Sequence, residues 1–263
     1  EPMLRDQDLV GGALYYDAQC DDSRLVLANI RSAHRHGARV ANYARVCALE
    51  KAGGRVRGAV VEDVMTGAHL TVRAHVLVNA TGPWSDAVRR LDDPDARPLL
   101  RPTKGAHIAV PQSRVGNIGA VTLTSPIDGR VMFVLPWGDV TVVGTTDTDA
   151  DPSPDDVHAD EEDVAYLLRS VNAVFPSARV QRYDVIAAWA ALRPLLAAAT
   201  STTGAVPREH RIVESASGLI TIAGGKLTTY RAMAAELVDL VARRLRRLDG
   251  RPQPRRAPTD REP

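Results

Sequence analysis

The sequence predicts an α/β fold in which a parallel-sheet domain is interrupted by a mainly antiparallel one, and three stretches carry that expectation. "VLVNA", residues 76–80, is apolar at nearly every position, as in a strand covered on both faces. From Arg101 onward "HIAVP", "GAVTLTSP", "RVMFVLPW" and "VTVVGTTD" are short β runs separated by the turns "PIDG" and "PWGD", the texture of an antiparallel meander. "GLITIA" then returns to an apolar strand and leads into "TTYRAMAAELVDLVARRL", where Met233, Leu237, Leu240 and Leu245 draw one helical stripe.

Taken from the start, "GGALYYDAQ" reads as an extended segment. "DDSRLVLANIRSAHRHG" comes next with helical spacing at Leu25, Ala28, Asn29 and Ala33, an N-cap at Asp21 or Asp22 and a stop at Gly37. "ARVCALEK", "RVRGAVVEDV", "HLTVRA" and "HVLVNATG" are strands joined through the tight turns "AGG" and "MTG". The last of them ends in Ala80, Thr81 and Gly82, small residues at the end of a strand where α/β folds place ligands. After the β runs, "DTDADPSPDDVHADEED" holds nine acidic residues and neither Lys nor Arg. Asp160 is the expected cap of the helix through Val164, Leu167, Leu168 and Val171, with Glu161 to Asp163 favourable in its first turn. A calcium loop is disfavoured, because the glycine and terminal glutamate it needs are not at the required offsets.

With 263 residues and 44% hydrophobic content the chain can bury a real core. Its net charge is +1, but the segment from Arg243 to Pro263 holds eight arginines against three acids, leaving a mildly acidic body. Basic residues gathered in a Pro-rich tail, without helix-turn-helix or zinc spacing, argue against nucleic-acid binding. Cys20 and Cys47 lack metal-ligand spacing and fit inert thiols in a reduced, cytoplasmic compartment; no metal is expected. The longest apolar stretch, "VIAAWAALRPLLAAA", is broken by Arg193 and Pro194, so membrane contact, if made, is peripheral, on the cytoplasmic face.

Several motifs can carry chemistry. In "GGKLTTYR", residues 224–231, two glycines allow a tight turn and the amides of Leu227, Thr228 and Thr229 begin a helix. Those amides suit a phosphate, the pyrimidine end of a flavin, or an ordinary strand-to-helix turn. Arg193, Arg208 and Arg211 would serve a phosphorylated ligand, and Arg193, following "VIAAWAAL", needs an anionic partner if buried. "RPTKGAHIAVP" sets Lys104 and His107 around a glycine, one to orient an anion and the other to accept a proton, with a structural histidine as the plainer alternative. "GTTD", residues 144–147, offers hydroxyls for a substrate or for turn capping.

Read in order, "GGALYYDAQCDDSRLV", "NATGPWSD", "RPTKGAHI", "FVLPW" with "VVGTTD", "LRPLL", "REH" and "GGKLTTYR" resemble the FAD-dependent glycerol-3-phosphate dehydrogenase family over about residues 11 to 245. The resemblance implies a D-amino-acid-oxidase-like fold, with an FAD domain and a substrate domain built on an antiparallel sheet. It also implies oxidation of sn-glycerol 3-phosphate to dihydroxyacetone phosphate by hydride transfer to FAD, with electrons passed to quinone at a membrane surface. By matching motif, Arg193 and Arg208 hold the substrate phosphate with Lys104 nearby, and His107, Lys226 and Thr146 border the carbinol, His107 being the first choice of base. Gly82 and Trp84 lie beside the FAD nucleotide, and Gly225, Lys226, Leu227 and Thr228 meet the flavin ring. The implied division is 1–20 as a substrate-domain strand or linker, 21–98 and 201–247 as FAD-domain parts, 99–200 as substrate domain and 248–263 as a disordered basic tail.

One departure stands out: the family opens with a strand, a GxGxxG turn and a helix that bind the FAD pyrophosphate, whereas here no two glycines are spaced two apart. The chain therefore reads as a fragment, truncated before the first βαβ unit and at the C-terminal helical region, with weak or no FAD binding by itself. The alternatives are a non-catalytic remnant that binds a phosphorylated ligand and a related FAD-dependent amino- or hydroxy-acid oxidase. A homodimer is left open.

Overall fold

Three sheets organise the protein, seen in a computed structural model that describes residues 1, 3–7, 9–149, 153–197 and 209–249. The N-terminal helix α1 (Asp22–Arg35) starts where its sequence demands, with Asp21 accepting a hydrogen bond from the Arg24 amide at 3.0 Å. The segment 11–19 is exposed throughout and pairs with no strand. Strands β1 (Ala44–Ala52), β2 (Arg55–Asp63) and β3 (His69–Arg73) then form an antiparallel sheet with β2 in the middle.

A second sheet joins β4 (Val78–Asn79) in parallel to β12 (Ile220–Gly224), which pairs antiparallel with β11 (His210–Glu214). The strand expected through "VLVNA" is thus real but short, and it is not covered on both faces: Asn79 is buried while Val78 is 41% exposed. Among the described residues its only strand neighbour is β12. Asn79 shapes the turn after β4, donating to the Ser85 carbonyl at 3.0 Å and accepting from the Thr81 hydroxyl at 2.7 Å. A one-turn 3₁₀ helix (Gly82–Trp84) and α2 (Ser85–Asp92) continue from that turn.

The largest sheet contains β5 (Thr103–Pro111), β6 (Val121–Thr124), β7 (Val131–Trp137), β8 (Val140–Gly144), β9 (Thr148–Asp149) and β10 (Ala187–Arg193). Its order, β10-β5-β8-β7-β6 with β9 on β5, corrects the expected meander. β6, β7 and β8 do pair in sequence, but β5 lies beyond β8 instead of beside β6. The cause is burial: β5 is buried at most positions and takes an interior place, whereas β6 alternates half-buried with exposed residues and closes the edge. After β5 the short α3 (Gln112–Val115) turns the chain, and the buried Asn117 accepts from the Thr141 hydroxyl at 2.6 Å.

One face of this sheet carries the core. Ile108 and Val110 of β5, Met132 and Val134 of β7 and Val143 of β8 pack against Val164, Leu167 and Val171 of α4 (Glu161–Val174) and against Phe175. The helix begins with a capping box as its sequence foretells: the Asp163 amide donates to Asp160 at 2.9 Å and the Asp160 amide to Asp163 at 3.2 Å.

Two chain crossings link the large sheet to the β4–β12 sheet, and they are bonded to each other. Leu100 bridges Leu196, the Arg101 amide donates to the Leu195 carbonyl at 2.8 Å, and the Ala197 amide donates to the Leu99 carbonyl at 2.9 Å. Asp86 of α2 secures the first crossing by accepting from the Leu99 and Leu100 amides, each at 3.0 Å. The final helix α5 (Tyr230–Asp249) lies on the surface with Met233, Leu237, Leu240 and Leu245 half-buried, the stripe read from the sequence.

Candidate active site

The face of the large sheet turned away from α4 gathers His107, Trp189 and Arg193. Side chains alternate along β5, so residues of the parity of Ile108 and Val110 enter the core and those of the parity of His107 point the other way. Pairing sets the neighbours: His107 lies opposite Trp189 of β10 and Gly144 of β8, and Arg193 lies opposite Thr103. The imidazole and the indole stack, with ring centroids 5.6 Å apart and planes 11° from parallel. Gly144 is required here, because a Cβ at that position would collide with the imidazole.

Arg193 is half-buried, and its guanidinium lies across Gly105, where any side chain would strike it. One terminal nitrogen donates to the Thr145 hydroxyl at 2.7 Å and the Thr146 carbonyl at 3.2 Å, and the other reaches the Asp147 carboxylate at 3.3 Å. The motif "GTTD" is therefore the cradle of Arg193. Sequence reasoning quoted it but singled out only Thr146, whose buried hydroxyl accepts from the Ala106 amide at 2.9 Å and so braces the end of β8 against β5. Nothing in the sequence pattern alone marks Thr145, Asp147 or Trp189, since their roles arise from cross-strand pairing.

Burial pushes the proton affinity of His107 below that of an ordinary histidine, and the nearby positive charge of Arg193 pushes it further the same way. The imidazole is therefore held in the neutral form, able to accept a proton near neutral pH.

Lys104 does not join this cluster. Three residues from His107 along a strand, it points to the opposite face, where its ammonium meets Asp160 at 2.5 Å and Asp163 at 2.7 Å at the start of α4. Burial works against its charge, but the hydrogen bonds and charges of Asp160 and Asp163 outweigh that and raise its proton affinity. A cavity of about 510 Å³ opens on that side, lined by Lys104, Arg130, Thr146, His158 and Tyr166 among others. The expected pairing of Lys104 with His107 is corrected by strand parity, and Lys104 serves to fasten α4 to β5.

The other expected residues lie at the ends of β4 and β12. Gly82 opens the one-turn helix after β4, and Trp84 is 42% exposed with its indole N–H donating to Asp155 at 3.2 Å. Gly225 bonds back to the Glu209 carbonyl at 3.0 Å, and Leu196, three residues after Arg193, packs against the position of Gly224. The turn thereby abuts the end of β10. Lys226 is exposed, and Leu227–Thr229 form a 3₁₀ turn leading into α5, closed by the Thr229 amide on the Lys226 carbonyl at 3.0 Å. Arg208 and the basic tail 250–263 lie outside the described residues. Among the described residues no group of three or more His, Cys, Asp or Glu could hold a metal ion, and no helix is long and apolar enough to cross a membrane.

Residues 1–240 match the FAD dependent oxidoreductase family. The chain belongs to that family. Within this FAD dependent oxidoreductase family it is 43% identical over 246 residues to the mitochondrial glycerol-3-phosphate dehydrogenase of Macaca fascicularis, covering 90% of this chain and 34% of the relative. It is 41% identical over 238 residues to glycerol-3-phosphate dehydrogenase 2 of Mycobacterium bovis, covering 90% and 40%. The X-ray structure of the glycerol-3-phosphate dehydrogenase from Bacillus halodurans complexed with FAD superposes with a TM-score of 0.86 at 40% identity, over 93% of this chain and 47% of that one. The fold is thus the D-amino-acid-oxidase-like fold expected of an FAD dependent oxidoreductase. The chain spans 34% to 40% of the length of these two curated relatives.

Proposed function

We propose that the chain supplies the substrate side and part of the flavin side of an enzyme that oxidises sn-glycerol 3-phosphate to dihydroxyacetone phosphate. The observation that carries this reading is the placing, on one sheet face, of an arginine cradled by Thr145, Thr146 and Asp147, its guanidinium lying across Gly105, beside a neutral imidazole at His107, two residues further along β5. A phosphorylated alcohol needs those two functions side by side, a fixed cation for the phosphate and a base for the hydroxyl. The names and the 40–43% identities of the relatives support the same substrate.

In this reading Arg193, joined by Arg208, binds the phosphate, His107 accepts the carbinol proton, and Lys226 adds positive charge at the rim. Thr146 orients the face from beneath. Residues 21–98 and 201–247 serve the cofactor and 99–200 the substrate. FAD, when bound, would supply the hydride acceptor. The "GGKLTTYR" turn fits the pyrimidine end of a flavin, since the amides of Leu227 and Thr228 begin a helical turn that is exposed. Gly82 and Trp84, at the end of β4, would border the nucleotide. Quinone as acceptor and peripheral membrane contact belong to the same reading.

The deciding experiment adds glycerol 3-phosphate anaerobically to the FAD-loaded protein and records the visible flavin band. Bleaching by glycerol 3-phosphate, but not by glycerol or by amino acids, is expected; bleaching by a carboxylate substrate alone would replace this reading with an amino- or hydroxy-acid oxidase.

A further inference from the structure

His107 is oriented without hydrogen bonds. Among the described residues neither ring nitrogen has a hydrogen-bond partner, although the residue is half-buried. A histidine in that position is ordinarily steered by a carbonyl or carboxylate on one nitrogen. Here two other contacts confine the ring: the indole of Trp189 stacked along it, and the bare backbone of Gly144, the only kind of residue that leaves room for it.

We propose that Trp189 is a positioning residue, its indole acting with Gly144 to set the direction in which His107 offers its ring nitrogens to a substrate hydroxyl. Stacking fixes the plane of the imidazole while leaving both nitrogens at the ring edge unengaged, which suits a group that must receive a proton from a ligand. The indole also excludes water from one ring face, which favours the neutral form. Arg193 on β10 is the charged side chain beside the imidazole, with Asp147 behind it; the neighbours from β5 (Gly105), β7 (Phe133) and β8 (Gly144) carry no charge.

The test reads the ring itself. Histidine labelled with ¹³C at Cε1 is titrated in the full chain, with the His107 resonance identified among seven histidines by its loss in His107→Gln. Trp189→Leu should move that resonance out of the indole's shielding and raise its midpoint, while Trp189→Phe keeps both near the original. An unchanged resonance and midpoint in Trp189→Leu would overturn the proposal. Trp189 is 42% exposed, and Trp189→Thr, which keeps strand propensity, provides the same comparison if the leucine variant does not fold.

Kinetics then connect the position to the reaction, and this arm rests on the proposed function. In the flavin-loaded enzyme Trp189→Leu should lower kcat about 10- to 100-fold with little change in KM. Turnover lost in His107→Gln but retained in Trp189→Leu would overturn the positioning role. Turnover retained in both would instead remove His107 as the base, and the resonance test would still decide what Trp189 does to the ring.

Discussion

Arg193 was legible because a charge that ends an apolar run must find a partner, and its partners turned out to be neighbours in the "GTTD" motif. In the proposed reading its removal should be felt in binding: Arg193→Ala is expected to raise KM for glycerol 3-phosphate by a factor equivalent to about 2–4 kcal/mol with a smaller effect on kcat, measured by steady-state kinetics of the flavin-loaded enzyme. Arg193→Lys should recover only part of that, since an ammonium cannot contact Thr145 and Asp147 through separate nitrogens. His107 gives a pH signature. If His107 is the base, as proposed, it must be deprotonated, so kcat/KM should rise with pH and level off, with a midpoint below the ordinary histidine value of about 6.5 because burial and Arg193 both disfavour the proton. His107→Gln should erase that limb. The same depression means that the unfolded chain takes up this proton first, so its contribution to folding declines as pH falls below about 6.5. Lys104 escaped the sequence because its role depends on parity: a spacing of three on a strand puts two side chains on opposite faces, and only the run of the strand shows that.

At the scale of elements, helix starts were the most readable features. Asp21 and Asp160 cap α1 and α4 through hydrogen bonds that span three residues, so their signals are complete within a few positions of sequence. Strand order was not readable, because the place of β5 beside β8 depends on which strands bury most apolar surface and on pairings between residues distant in sequence, such as His107 with Gly144. The α4 cap joins the two kinds of information, since Asp160 also binds Lys104 of β5. Asp160→Ala should therefore cost about 1–2 kcal/mol, seen as a lowered melting temperature of the chain. Asp160→Asn should cost less, because asparagine keeps the cap and loses only the charge. The Lys104 bond and charge hold the Asp160 carboxyl below the usual range. The carboxylate's contribution is accordingly present at neutral pH and fades as pH falls through the acid range.

Across the whole molecule the burial is uneven. The α4 side of the large sheet carries the buried apolar cluster, whereas α1 has no buried residue and β3 is exposed along its length. Leu27 and Val26 of α1 and Leu70 and Val72 of β3 face solvent in this chain. Amides of α1 should then exchange with deuterium well before those of β5, β7 and β8, because opening a helix that buries little costs little. Hydrogen exchange read by mass spectrometry checks this, and equal protection of α1 and β8 would contradict it. Helical spacing announces α1, yet spacing tells only that a face is available to be covered.

The paired crossings at 99–101 and 195–197 have a mechanical meaning. Because the chain's outbound and returning passages are stitched to each other and pinned by Asp86, the large sheet and the β4–β12 sheet share a two-ply strap. A strap of that kind resists stretching and twisting but can flex across its flat side. Any swing of the sheet would carry Arg193, two residues from the seam, along a short arc, and the "GGK" turn, resting on Leu196, would ride with the pivot. Arg193 and the turn would keep their spacing while the surroundings moved, which is what the proposed reading of the two as phosphate anchor and flavin contact requires.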